Sequence, residues 1–244
     1  MRHLPWGSSL PNMTTPLTWL GHSAFRLDTP AGTRIYLDPW LTGNPKCPAD
    51  ELEPERCDLV LVSHGHGDHV GDTVRLNQQF DCPVIAQVEV RGWLTGQGVT
   101  GDEQFGSLNK GGTAHIGDVA VTLTTANHSS SAGDGTYLGE PCGIVLEIDG
   151  APTIYFAGDT NVFGDMTLIR RIYAPDVAIL PIGDHYTMGP REAAVSLELL
   201  GVTRCVPCHY GTFPILTGTP RQLRDLAPAG VEILSPSPGE TVEL

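Results

Sequence analysis

Residues 58–72 read DLVLVSHGHGDHVGD, an apolar run followed by closely spaced histidines. Leu59 to Val62 are all apolar, which predicts a strand buried on both faces, as in an α/β sheet. Imidazole and carboxylate groups are costly to pack this closely unless something compensates their polarity, and both are ligands of zinc, manganese and iron. A solvated polar loop would explain one or two of these histidines but not three, so the stretch predicts a metal site. The candidate ligands are His64, His66, Asp68 and His69.

The composition indicates one acidic globular domain. The 244 residues include 14 Lys and Arg against 28 Asp and Glu, and the net charge of -14 disfavours nucleic-acid partners, whose phosphates are bound by Lys and Arg. No linker-like segment divides the chain, so residues 14–244 are predicted to form a single domain. Residues 1–13 are polar and Pro-rich. They predict a flexible N-terminal extension, either an arm or a segment ahead of a natural start at Met13.

The sequence also bears on location and association. No stretch approaches the roughly 18 apolar residues needed to span a bilayer, and the start of the chain lacks the apolar core of a signal peptide. We therefore expect a cytoplasmic protein with no membrane contact and with its six cysteines as free thiols. The expected partner is a small-molecule substrate, and the sequence leaves a homo-oligomer open.

Metal-ligand side chains follow other predicted strands as well. Chance would scatter nine histidines more evenly along the chain. Because open α/β sheets place their chemistry at the carboxyl ends of strands, these positions are candidates for the same site. The four residues are His128, Asp159, His185 and His209.

The rest of the pattern predicts supporting elements. Residues 17–40 give three short strands, with His22 on the first turn, where a histidine is usually solvated. Asp38 ends a strand and is predicted to accept a hydrogen bond in support of the site. A helix is predicted over 70–80 and a loop over 100–112.

Six motifs together resemble the metallo-β-lactamase superfamily. They are GHSAF (21–25), LDPWLTGNP (37–45), SHGHGDHVGD (63–72), AGDT (157–160), PIGDHYTMGP (181–190) and CHYGTFP (208–214). Within it, the chain is similar to bacterial metal-dependent hydrolases related to the ascorbate-6-phosphate lactonases. The resemblance implies an α/β protein with an αββα sandwich, two mixed β-sheets flanked by helices, and a dinuclear site at one rim.

The resemblance also implies a ligand set for two divalent metal ions. One ion would be held by His64, His66 and His128, and the other by Asp68, His69 and His209, with Asp159 bridging the two. Zinc is the first expectation, and manganese, iron or nickel also suit nitrogen and oxygen donors without a thiolate.

The implied activity is that of a dinuclear metal-dependent hydrolase. A metal-bridging hydroxide would cleave a small ester, lactone or phosphoester, and Asp68 and Asp159 are the carboxylates expected to act in catalysis. The leaving group needs a proton donor. His22 and His185 are candidates because both lie on loops and are expected to titrate near neutrality. Position 185 departs from the relatives, which often carry Asn there.

Three other functions remain as alternatives. A phosphodiesterase or nuclease of the same fold is disfavoured by the net charge of -14. A redox di-iron protein usually has Glu where His66 stands. A non-catalytic metal-binding protein would not be expected to keep all seven ligands.

Overall fold

The apolar run around Leu59 forms an interior strand of one of two β-sheets. A computed structural model describes residues 15–244, so the extension predicted for residues 1–13 lies outside the described residues. The strands are β1 (Pro16–Trp19), β2 (Phe25–Asp28), β3 (Arg34–Leu37), β4 (Leu59–Leu61), β5 (Val84–Gln87), β6 (Ser107–Leu108), β7 (Thr113–Ile116), β8 (Val119–Thr125), β9 (Cys142–Ile148), β10 (Ile154–Phe156), β11 (Val177–Pro181), β12 (Arg204–Cys208), β13 (Glu232–Ile233) and β14 (Thr241–Glu243).

Seven α-helices connect these strands within the described part of the chain. They are α1 (Gly67–Val70), α2 (Thr73–Phe80), α3 (Val88–Gly96), α4 (Glu103–Gly106), α5 (Met166–Tyr173), α6 (Pro190–Leu200) and α7 (Pro220–Leu226). Helix α6 begins at a proline, whose fixed φ suits a first helical position, and ends at Gly201 with a left-handed φ of 66°.

Each sheet has seven strands and mixes parallel with antiparallel pairing. The first sheet has the order β14-β1-β2-β3-β4-β5-β6 and the second β13-β12-β11-β10-β9-β8-β7. The predicted meander of β1, β2 and β3 is antiparallel, and β4 and β5 continue the first sheet in parallel. In the second sheet, β10 to β13 are parallel.

Three apolar clusters define four layers. Leu59 and Leu61 of β4 join the cluster between the two sheets, whereas Val60 faces the helices outside the first sheet. Strand β4 is therefore buried on both faces, as its sequence predicted. A third cluster packs α5, α6 and α7 against the outer face of the second sheet. The order helix, sheet, sheet, helix confirms the predicted αββα sandwich.

Two predicted elements differ from the structure. The helix predicted over 70–80 is broken into α1 and α2 at Gly71, where a Cβ would collide with the backbone of Pro39 and Trp40. The loop predicted over 100–112 contains the short elements α4 and β6. The helix breaks at Gly71 because the segment at Pro39 and Trp40 lies close to it, and the local sequence does not reveal this approach.

The cysteines and the helices bear on the expectations of free thiols and of no membrane span. All six cysteines are free, five of them buried. Among residues 15–244, no helix is long and apolar enough to cross a membrane.

Candidate metal centre

The predicted ligands converge at the rim where strands of both sheets end. The first sheet contributes the loop after β4, and the second contributes the segments after β8, β10 and β12. The turn between β1 and β2 reaches the same rim and brings His22. The strand ends thus bring together side chains that lie as much as 187 positions apart, from His22 to His209.

One group of donors consists of three imidazoles. Ligand atoms of His64, His66 and His128 lie within 4.8 Å of one another, and His64 Nε2 is 2.9 Å from His66 Nδ1. Burial, followed by neighbouring imidazoles, lowers the pKa of His64 well below its ordinary value. Burial likewise lowers the pKa of His66 and of His128. These rings are therefore neutral at pH 7, which is the form that binds metal.

A second group adjoins the first. Ligand atoms of His22, Asp68, His69 and His209 lie within 4.8 Å of one another. The Asp68 carboxylate is 3.0 Å from His22 Nε2 and 3.9 Å from His69 Nε2. Burial opposes ionisation of Asp68, but the nearby His69 and His22 outweigh it and hold the pKa of this carboxyl well below its usual range.

Asp159 lies between the two groups. Its Oδ2 atom is 3.6 Å from His128 Nε2, 3.3 Å from His69 Nε2 and 3.1 Å from His209 Nε2. Burial would raise the pKa of this carboxyl, but His69 and His209 hold it well below the ordinary value. A buried ionised carboxylate that faces imidazoles of both groups is suited to bridging two cations.

Asp38 supports this cluster from behind, as the sequence predicted. Its Oδ2 is 2.6 Å from His69 Nδ1 and its Oδ1 accepts the Ser63 backbone N–H at 2.7 Å. The Ser63 hydroxyl donates to Asp38 Oδ2 and lies 2.9 Å from His64 Nδ1. A carboxylate on the far nitrogen of a ligating histidine fixes the ring orientation and raises its basicity.

Three buried atoms of the cluster have no hydrogen-bond partner within the described residues. They are His69 Nε2, Asp159 Oδ1 and His209 Nδ1. Buried polar atoms in folded proteins are nearly always satisfied, so unpaired ones in a cluster of ligand-type side chains indicate a site for an ion. The donors are all nitrogen and oxygen, so the residues fit a divalent metal such as zinc, manganese, iron or nickel.

The two histidines proposed as proton donors lie in different surroundings. His22 is completely buried, with Nδ1 2.9 Å from the Thr212 hydroxyl and Nε2 on Asp68. Burial lowers the pKa of His22 to about 4, so the expectations of a solvated turn residue and of titration near neutrality are wrong. His185 is exposed and joins neither donor group. Its catalytic role stays a prediction.

A cavity of about 280 Å³ opens over the cluster. Its wall includes Ser129, Tyr186 and Phe213, which were not among the predicted site residues. Ser129 follows the predicted ligand His128, and Tyr186 and Phe213 lie within the motifs at 181–190 and 208–214. No Lys or Arg of the described chain lines it. The remaining lining residues are His22, His66, Asp68, His128, Asp159 and His209.

The chain is similar to proteins described as metal-dependent hydrolases. The family model described as "Beta-lactamase superfamily domain" matches residues 33–210. A UPF0173 metal-dependent hydrolase of Koribacter versatilis is 46% identical over 228 residues, which cover 92% of this chain and 96% of that protein. A second UPF0173 metal-dependent hydrolase, from Herpetosiphon aurantiacus, is 50% identical, and the match covers 86% of this chain and 88% of that protein.

A solved structure shows the same likeness. Igni18, described as a novel metallo hydrolase from the hyperthermophilic archaeon Ignicoccus hospitalis, superimposes with a TM-score of 0.82 at 34% identity. The match covers 95% of this chain and 98% of Igni18.

Proposed function

The chain belongs to the UPF0173 metal-dependent hydrolases of the metallo-β-lactamase superfamily, and on that premise we propose that it hydrolyses a small neutral ester or lactone with the help of two divalent ions. The contact of Asp159 Oδ2 with imidazoles of both donor groups carries this proposal. The predicted relation to the ascorbate-6-phosphate lactonases favours a cyclic ester as the reacting group, whereas the cavity, which no Lys or Arg of the described chain lines, favours a substrate without a phosphate.

The ligand assignment follows the two donor groups. His64, His66 and His128 would hold one ion, and the second group without His22, namely Asp68, His69 and His209, would hold the other. Asp159, whose Oδ2 faces imidazoles of both groups, would be shared between the ions. When bound, such a pair supplies an activated water as nucleophile and polarises the oxygen of the substrate. No serine or cysteine nucleophile is then required.

Asp68 is the more accessible of the two carboxylates expected to act in catalysis. Its side chain is 32% exposed, whereas that of Asp159 is 3% exposed, so Asp68 can meet both water and substrate. Neutral His22 holds Asp68 in place: when Nδ1 accepts from the Thr212 hydroxyl, Nε2 donates to the carboxylate. We assign His22 this positioning role because it is buried.

The cavity favours a small uncharged substrate over a phosphoester. Enzymes that transfer phosphoryl groups commonly clamp them with Arg or Lys, and no such residue of the described chain lines this cavity. Tyr186 and Phe213 offer aromatic surface instead. The net charge of -14 further disfavours polymeric phosphodiesters.

A substrate comparison tests the proposal. Metal-loaded protein would be assayed with a γ-lactone, a δ-lactone and p-nitrophenyl acetate, and with bis(p-nitrophenyl) phosphate. We expect turnover of at least one neutral substrate, slower or no turnover of the phosphodiester, and loss of turnover in Asp159→Asn. Turnover of the phosphodiester alone, or unchanged activity in Asp159→Asn, would refute it.

A further inference from the structure

A second cavity, which we call the basic cavity, lies beside the metal centre. It has a volume of about 460 Å³ and is formed by residues of β1, the end of β12, helix α7 and the segment after β13. One wall contains Trp19 and Tyr210, and three cations line it: Lys46, Arg221 and Arg224. It shares no lining residue with the cavity over the metal centre.

The charge of the basic cavity is opposite to that of the chain. Asp and Glu outnumber Lys and Arg by 28 to 14, yet three of the 14 cations line this one cavity and none of its lining residues is acidic. In the described part of the chain, these three cations form no ion pair with a carboxylate. Like charges gathered without counter-charges attract an anion.

The wall of the basic cavity is aromatic and rigid. The rings of Trp19 and Tyr210 are stacked with centroids 4.9 Å apart and an interplanar angle of 26°. Trp19 is 4% exposed, and its Nε1 donates to the His22 carbonyl at 2.9 Å. Buried Trp19 stacks on Tyr210 and holds this partly exposed ring in place, and a fixed ring provides contact area for a planar apolar group at little entropic cost.

Polar groups beside the cations can accept or donate further hydrogen bonds. Arg224 donates to the Ser235 hydroxyl, which holds its guanidinium at the cavity. Ser237 adds a further hydroxyl group to the lining. The volume of the basic cavity lies within the range of about 300–1,000 Å³ typical of small-molecule sites.

We propose that the basic cavity binds a small organic anion, namely a planar apolar ring that carries one acidic group. The ring would pack beside the partly exposed ring of Tyr210, and the acidic group would lie among Lys46, Arg221 and Arg224. This site is separate from the proposed hydrolytic site and does not depend on it.

Benzenesulfonate is a suitable probe because it is a small aromatic anion without an ester bond to hydrolyse. Binding would be measured by isothermal titration calorimetry on the metal-loaded full chain at low ionic strength, since salt screens such contacts. Methyl phenyl sulfone, a neutral molecule of similar shape, tests the need for charge. We expect it to bind at least about tenfold more weakly, because it lacks the negative charge that the cations would attract.

A pair of double variants locates the site. In Arg221→Gln/Arg224→Gln we expect affinity for benzenesulfonate to fall at least about tenfold. Arg171→Gln/Arg191→Gln removes the same charge from exposed positions outside the basic cavity and should bind as the wild type does. Circular dichroism would verify that both fold. No binding to the wild type at millimolar concentration, equal binding of the neutral sulfone, or equal loss in both double variants would overturn the proposal.

Discussion

His69 Nδ1 lies 2.6 Å from Asp38 Oδ2, and neither side chain is accessible to solvent. This contact turns His69 Nε2 toward Asp159 Oδ2, 3.3 Å away. The contact is long-range, because the two residues follow different parallel strands, β3 and β4. The buried Asp38 carboxylate, which is not a proposed ligand, thus sets the orientation of the ring of the proposed ligand His69.

Asp38→Asn should weaken metal binding without unfolding the protein. Asparagine tolerates the left-handed φ of 43° at this position, but it lacks the negative charge that Asp38 places beside His69. We expect metal affinity to fall by about 10- to 100-fold, as for other partners of ligating histidines. Competition against a chromophoric chelator measures this change. Asp81→Asn is the matched control, because Asp81 is exposed and has a φ of 51°; equal affinity in Asp38→Asn and the control would contradict the expectation.

Gly183→Ala should disturb the strand end that carries His209. A Cβ at Gly183 would overlap the His209 carbonyl oxygen, which cannot move without shifting β12. We expect a loss of about 1–3 kcal/mol in the free energy of unfolding, together with reduced metal content. Urea denaturation would measure the first quantity. Gly164→Ala, where a Cβ meets nothing within 4 Å, should be close to neutral, and equal stability of the two variants would count against the steric argument.

Asp72 should stabilise the fold in a pH-dependent way. Burial raises the pKa of this carboxyl, but hydrogen bonds from Thr42, Leu41 and Arg75 outweigh burial and lower it below the ordinary value. Because the folded pKa is depressed, the stabilisation is fully present above the unfolded pKa of about 3.9 and is lost as pH falls through the folded pKa.

Asp72→Asn should therefore cost about 1–3 kcal/mol at pH 7. The difference from wild type should shrink as the pH falls below about 4. Urea denaturation at several pH values would measure both. A difference that stays constant or grows in acid would show that ionised Asp72 is not the cause.

Much of the site could be predicted because its chemistry is repeated at strand ends. His128, Asp159 and His209 are far apart in sequence, but each follows a strand, and strands of a sheet end at a shared rim. The αββα architecture followed from the motifs, and the double-sided burial of β4 followed from four consecutive apolar residues.

The burial of His22 could not be predicted from its turn. It depends on Thr212 and His209, about 190 positions away, which pack against its ring. The basic cavity could not be predicted either, because its cations at positions 46, 221 and 224 are brought together by long-range packing and form no motif in the sequence. Long-range packing decides these features, and a single sequence does not display it.

The metal content of purified protein without a histidine tag tests the central claim most directly. We expect elemental analysis of metal-replete, dialysed wild type to give about two divalent ions per chain, and Asp159→Asn to give one or fewer. Asp165→Asn, an exposed carboxylate outside both donor groups, should retain the wild-type content. Less than one ion per chain in the wild type, or an unchanged content in Asp159→Asn, would contradict a two-ion site bridged by Asp159.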